Sequence, residues 1–210
     1  MTDVPRRVVV AALMAVLALG GIVALVGADD GTTPPGPVVT GGHAEGRATG
    51  LRGFVRPRIP PHDFALHDQD GRLVRLSDYR GRVVLLTFLY THCKDTCPIT
   101  AQQIRGALDD LGHDVPALAV SVDPPNDTPA SARAFLAKTR TTGRLRFLIG
   151  PRSKLKPIWK DYAVAPQTPE SEHTAYVLII DRTGRQRVAF PAQQLVPEDL
   201  AHDIRKIEAS

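Results

Sequence analysis

Short apolar runs and helix-spaced apolar positions take turns along the chain. Leu85 to Tyr90, within the run Val83-Val-Leu-Leu-Thr-Phe-Leu-Tyr90, is β-branched or aromatic at several positions and reads as a buried central strand. Before it, Phe64–Leu66 and Leu73–Leu76 bracket Asp70-Gly71, a dipeptide suited to a hairpin turn. After it, Cys97-Pro98 opens a helical pattern through Ile99, Ile104, Leu108 and Leu111, with Pro98 at the first helical position and Gly112 as the C-terminal stop. A second buried strand, Ala117–Val122, leads to a helix from Pro129 through Ala137, capped by Asp127 or Thr128, with Asp127 the favoured cap. Leu145–Ile149 is a third strand, and Ser153 caps a brief helix through Trp159 and Tyr162, with Trp159 read as core. Ala175–Ile180 and Arg187–Phe190 flank Arg182-Thr-Gly184 as an antiparallel hairpin, and Pro197–Ile207 closes the chain as an amphipathic helix.

Strand, helix, strand, helix predicts a parallel sheet with right-handed crossovers. Followed by a hairpin and a last helix, this is the thioredoxin arrangement, an α/β fold, here with an N-terminal β-hairpin extension and an insertion before the final hairpin. The folded domain is expected over 54–210. Upstream, Val8 to Ala28 carries no charge, and about 20 such residues span a bilayer core. Arg6 and Arg7 precede this run and Asp29 and Asp30 follow it. The positive-inside bias therefore puts 1–7 in the cytoplasm, makes 8–28 a single transmembrane helix, and places the rest on the extracytoplasmic side of the cell membrane. A cleaved signal peptide is the competing reading, with small residues at Val26-Gly-Ala28, but the run exceeds the usual ~7–15 residues of a signal core. Residues 29–53, with Pro34-Pro-Gly-Pro37 and Gly41-Gly42, read as a flexible linker that cannot bury a core.

A net charge of +4 raises nucleic acid as a partner, but no nucleic-acid motif is present and aromatics are only 5% of residues, so that class is set aside. The basic stretch Arg140, Arg144, Arg146, Arg152, Lys154, Lys156 and Lys160 reads as a solvated face, with docking to an acidic partner or lipid headgroups as the rival.

The chemistry concentrates in the two cysteines, Cys93 and Cys97. So short a loop gains little entropy from closure, so a purely stabilising disulfide explains the pair poorly. Cys93 falls at the C-terminal end of a parallel strand and Cys97 at a helix N-terminus, where α/β folds place their sites and where, with Lys94 nearby, thiolates are favoured. Three intervening residues leave room for both sulfurs to face one ion without excluding disulfide exchange. Structural zinc wants four protein ligands, whereas Cu(I) accepts few soft ones, and two Cys with one imidazole also suit Cu(II). Of seven histidines, His43 lies in the linker, His62 and His67 in the N-terminal hairpin region, and His113 and His202 on or beside surface helices. His92 adjoins Cys93 but points to the other face if extended pairing continues. His173 stands just before the strand Ala175–Ile180, a position that thioredoxin folds usually fill with a cis-proline against the active-site loop; it is the favoured third ligand.

Three segments now carry a family likeness: Phe88-Leu-Tyr-Thr-His-Cys-Lys-Asp-Thr-Cys-Pro98, Val122-Asp-Pro-Pro-Asn-Asp-Thr-Pro129 and His173-Thr-Ala-Tyr-Val-Leu-Ile-Ile-Asp181. In order and separation they resemble the signatures of the Sco/SenC family. The resemblance covers roughly Val55 to the C-terminus. It implies a thioredoxin-like copper protein that helps load the CuA centre of cytochrome c oxidase subunit II, with Cys93, Cys97 and His173 as ligands and other extracytoplasmic copper chaperones as further partners. Lys94 stands where the family often has proline, and Asn126 where it often has a basic residue; neither removes a ligand. Asp123 and Asp127 are candidates for the surroundings of the metal, Asp123 as a helper in handover.

Such a handover proceeds by thiolate ligand exchange and needs no substrate turnover, so the expectation is a metallochaperone and not an enzyme. A membrane-anchored thiol-disulfide oxidoreductase that reduces the oxidase cysteines with the redox-active pair is the alternative. A peroxidase is disfavoured because Pro-x-x-x-Thr-x-x-Cys is absent: Leu86 and Tyr90 occupy its Pro and Thr positions before Cys93. A non-catalytic scaffold is disfavoured by the convergence of three segments on one mouth of the fold.

Overall fold

The computed structural model describes residues 49–56, 59–168 and 175–210. Among these, eight strands form one sheet: β1 (Phe54–Val55), β2 (Ala65–Asp68), β3 (Leu73–Arg75), β4 (Val84–Leu89), β5 (Ala117–Ser121), β6 (Arg146–Ile149), β7 (Tyr176–Ile180) and β8 (Gln186–Pro191), in the spatial order β1-β8-β7-β4-β5-β6-β2-β3. β4 is buried at every position and sits at the centre, parallel to β5 from Leu85↔Ala117 to Leu89↔Ser121 and antiparallel to β7. β6 continues the parallel run beside β5, and the β2–β3 hairpin adds antiparallel to β6. The order β8-β7-β4-β5 is the thioredoxin core, and the hairpin extension and the insertion carrying β6 lie where the polarity pattern predicts them.

Alternation along the strands divides two cores. Leu85, Leu89, Ala117, Ala119, Val177 and Ile179 face α1 (Thr96–Leu111), α2 (Pro129–Lys138) and α4 (Pro197–Glu208). Leu86, Phe88, Leu118, Val120, Leu178 and Ile180 face α3 (Arg152–Asp161) and the hairpin residues Leu66 and Val74. Each large apolar side chain buried in these layers contributes about 1.5–3 kcal/mol.

Several local expectations need correction. α1 starts at Thr96, one residue before Cys97, so Pro98 is its third residue, where a missing N–H is still harmless. Ile99 is 55% exposed: with 3.6 residues per turn it falls opposite the face formed by Cys97, Ala101, Ile104 and Leu108. Gly112 does close the helix in the left-handed conformation at φ 71°. Pro151, not Ser153, precedes α3 at its cap. Asp127 does not cap α2; Thr128 does, its hydroxyl accepting from the Ser131 N–H while the Ser131 hydroxyl oxygen accepts from the Thr128 N–H. The packed domain also begins upstream of Phe54, because Leu51 is buried and the Arg52 and Gly53 N–H groups donate to the Asp203 carboxylate in α4. Among the described residues no helix is long and apolar enough to cross a membrane; the expected span 8–28 lies outside them.

Candidate metal centre

β4 delivers the chain to one end of the sheet, where Tyr90-Thr-His-Cys93 turns back on itself through a Cys93 N–H to Tyr90 carbonyl hydrogen bond of 3.4 Å. Three residues later α1 begins, and the Cys97 N–H donates to Cys93 Sγ at 3.2 Å. Cys93 therefore sits over the first turn of a helix, where unpaired N–H groups and the helix dipole favour an anion. Cys97, in that turn, is fully buried, while Cys93 keeps 9% of its surface.

The two thiols are driven apart in acidity. Cys93 is lowered to about 6, first by the hydrogen bond from the Cys97 side chain, against burial, with further help from the Cys97 and Asp95 N–H groups and the Tyr90 side chain. These donors, rather than the exposed Lys94 ammonium, are the principal causes. Cys97 is pushed up, first because its own hydrogen bond to Cys93 holds its proton and then by burial. The result is one exposed-edge thiolate backed by one buried thiol donor.

Behind the loop lies a polar network built on Asp127, which is expected near the metal, and on Thr91 and Ser121, which are not. The Asp127 carboxylate, 6% exposed, accepts from the Thr91 N–H at 2.8 Å, the Thr91 hydroxyl at 2.8 Å and the Ser121 hydroxyl at 2.6 Å. Burial raises its pKa, and the three donors oppose the rise. Ser121, at the end of β5, receives the Trp159 Nε1–H on its carbonyl at 3.0 Å, so α3 is tied to the same point. The one available signal was Ser121 itself, a lone hydroxyl in the apolar run Ala117–Val122. Asp123 is half-buried beside this network; it accepts from the Asn126 side chain at 2.9 Å and borders a cavity of about 630 Å³ with Tyr90, Pro124, Pro125, Arg152 and Gln167.

His173 lies outside the described residues, as do all of 169–174. Both flanks of that segment come to the cysteine end of the sheet. The Gln167 N–H donates to the Val122 carbonyl at 3.2 Å, and Tyr176, the first residue of β7, accepts from the Thr87 hydroxyl at 2.9 Å near the end of β4. The competing histidines are engaged elsewhere: His62 lies 3.7 Å from Asp161, His113 3.0 Å from Glu208 and His202 2.9 Å from Asp203. His67 is exposed in β2. His92 is exposed, with Nδ1 3.1 Å from the Thr91 hydroxyl, and His43 is outside the described residues. No group of three metal-ligating acids, histidines or cysteines gathers among the described residues. The donor set in view is thus two sulfurs at one helix N-terminus, a soft pair that fits a thiophilic ion.

Part of the basic stretch is internally paired: Arg144 with Asp109, Arg146 with Asp68, and Arg152 over the Trp159 ring.

Known proteins share both the sequence pattern and this architecture. The SCO1/SenC family model matches residues 58–209. The chain is 29% identical over 119 residues to the mitochondrial SCO1 homolog 1 of Arabidopsis thaliana (55% of this chain, 35% of that one). It is 30% identical over 122 residues to the mitochondrial SCO2 homolog of Bos taurus (55% and 45%), so it spans less than half the length of either relative. The structure of Bradyrhizobium japonicum ScoI with copper bound superposes with a TM-score of 0.57 at 30% identity, covering 70% of this chain and 99% of that one. With a thioredoxin-like sheet, a cysteine pair at a helix start at its mouth and a family match over residues 58–209, this chain belongs to the SCO1/SenC family.

Proposed function

We propose that this chain binds copper, as Cu(I) or Cu(II), through Cys93, Cys97 and His173, and passes it by ligand exchange to the CuA centre of cytochrome c oxidase subunit II. The observation that carries the reading is the pairing of Cys93 Sγ with the Cys97 side chain and, at 3.2 Å, the Cys97 N–H, which together hold one sulfur as a thiolate near neutral pH beside a second sulfur. A soft ion that replaces the Cys97 proton gains two thiolate donors on a preformed loop. The placement of both flanks of 169–174 at the same end of the sheet supports His173 as the third donor, and the copper-bound Bradyrhizobium relative supports the choice of ion. In this reading Asp123, at the rim of the mouth cavity, faces the incoming acceptor. An acceptor cysteine then displaces one ligand at a time, so only metal–ligand bonds are exchanged, each freed thiolate taking up the proton that the incoming thiol gives off. The uncharged run 8–28 serves as a membrane anchor and the residues from Asp29 up to the buried Leu51 as a tether on the extracytoplasmic side, a reading supported by Arg6 and Arg7 before the run.

A second reading has its own support. One acidic, edge-exposed thiol beside one buried, high-pKa thiol is the asymmetry of a nucleophile and a resolving cysteine, so the pair can also reduce a disulfide on the acceptor before metallation. In that step Cys93 thiolate attacks the target disulfide and Cys97 closes the Cys93–Cys97 bond, releasing the target as a dithiol.

An anaerobic Cu(I) competition titration of the full chain separates the two. Copper affinity falls by at least ~100-fold in Cys93→Ala and His173→Ala if the first reading holds. Disulfide exchange survives His173→Ala but not Cys93→Ala. Equal copper affinity in all three proteins would overturn the copper reading.

A further inference from the structure

We propose that Asp127 is the positioning residue of the cysteine loop, holding Thr91 so that Cys93 Sγ stays over the N-terminus of α1. The proposal deepens the copper reading and rests on it for one of its measurements only.

In the loop between β4 and Cys93, the Thr91 backbone N–H and side chain both reach the same distant group: both donate to Asp127 Oδ1, 36 residues on. Two residues later the chain must place Cys93 Sγ within 3.2 Å of the Cys97 N–H. Fixing the Thr91 amide fixes where the turn begins. The other Asp127 oxygen is held at 2.6 Å by the Ser121 hydroxyl, and Ser121 is immobile in turn, fully buried and receiving the Trp159 indole N–H on its carbonyl. A carboxylate buried this deeply is costly, and its oxygens could have served the neighbouring helix as a cap. Thr128 performs that task instead. Asp127 is therefore committed to the loop. Its hydrogen bonds go to Thr91 and Ser121, so it positions the loop through Thr91, while its charge adds to the rise at Cys97.

The same geometry separates a hydrogen-bonding role from a charge role. In Asp127→Asn the amide oxygen can still accept from Thr91, and the amide nitrogen can donate to the Ser121 oxygen, whose O–H then turns away from it. In Asp127→Ala nothing holds Thr91.

The test uses the reduced full chain with three variants, Asp127→Ala, Asp127→Asn and Ser121→Ala. Deuterium uptake across 90–97 is expected to rise at least about five-fold in Asp127→Ala and to stay within about two-fold of the parent in Asp127→Asn, with uptake in β4 itself unchanged. The thiolate absorbance of Cys93 is expected to shift its midpoint upward by about one pH unit in Asp127→Ala and to return toward the parent in Asp127→Asn. Cu(I) affinity follows the same order, falling about ten-fold and being restored. Parental uptake and midpoint in a folded Asp127→Ala would overturn the proposal, as would equal shifts in Ala and Asn, which would assign the effect to charge. If Asp127→Ala does not fold, Ser121→Ala decides: uptake across 90–97 at least doubles, or the proposal is wrong. If no protein, parent included, binds Cu(I), the copper reading fails while uptake and midpoint still judge Asp127.

Discussion

Two buried aspartates do opposite jobs with the same chemistry. Asp203, inaccessible within α4, accepts from the Arg52 and Gly53 N–H groups at 2.9–3.0 Å and lies 2.9 Å from His202 Nδ1. Asp127 likewise accepts from a backbone N–H and two hydroxyls. The first joins the start of the packed domain to its closing helix, 150 residues away. The second joins the end of β5 to the loop that carries Cys93. A buried carboxylate is worth keeping only where several donors converge on it. Where those donors belong to the frame, the effect is stability; where they belong to a loop bearing a nucleophile, it is geometry.

That contrast is broken most forcefully at Asp203. Asp203→Ala leaves two N–H groups without their acceptor in a closed site, and an expected loss of about 2–4 kcal/mol follows. Thermal or urea unfolding measures it, while Cys93 reactivity in the folded fraction stays parental. Gly53→Ala attacks the same junction by size. A methyl there would lie 2.3 Å from Val188 Cγ1 and 2.7 Å from the Phe190 ring, so the strand must shift at a cost of about 1–3 kcal/mol. At the other aspartate, Trp159→Phe keeps the ring and removes the N–H that holds Ser121, with an expected loss of about 1–2 kcal/mol and faster deuterium uptake across 90–97. A Trp159→Phe protein with unchanged uptake there would confine the network to Ser121 and Asp127.

The strands were legible in the sequence because they are short, continuous apolar runs whose neighbours are turn residues: β4, β5, β7 and β8 lie within a residue or so of where the pattern puts them. The cysteine pair was legible for the same reason, since strand end and helix start follow from that pattern. Most of what was not legible depends on contacts distant in sequence, and Ile99 is the exception. Ile99 looked like core because it is apolar, and only helical phase places it outside. Asp127 beside Thr128 offered two caps with Asp127 favoured, but Asp127 is drawn away by Thr91, which no local rule connects to either. Leu51 sat in a stretch rich in glycine and polar residues, and its burial depends on a carboxylate in α4.

The smallest expected effect bears on the site alone and turns on the sign of proton linkage. An isolated cysteine titrates near ~8.5, whereas Cys93 in the fold titrates at about 6 and Cys97 well above its ordinary value. Between pH ~6 and ~8.5 the folded pair holds one proton, on Cys97, and the unfolded pair holds two. Stability therefore rises with pH across that window, and the Cys93 contribution is lost as pH falls through about 6. Above ~8.5 the unfolded chain sheds both protons while Cys97 keeps its own, so stability turns down again. With solvent screening at the rim, the rising limb is expected to be about 1 kcal/mol. Urea unfolding of the reduced, metal-free chain at several pH values, with Cys93→Ser alongside, isolates the cysteine pair, because titrations elsewhere cancel in the difference. Parallel curves for the two proteins from pH ~6 to ~8.5 would mean that the helix N-terminus does not hold a thiolate, and the division between a frame-building aspartate and a loop-positioning one would lose its chemical consequence.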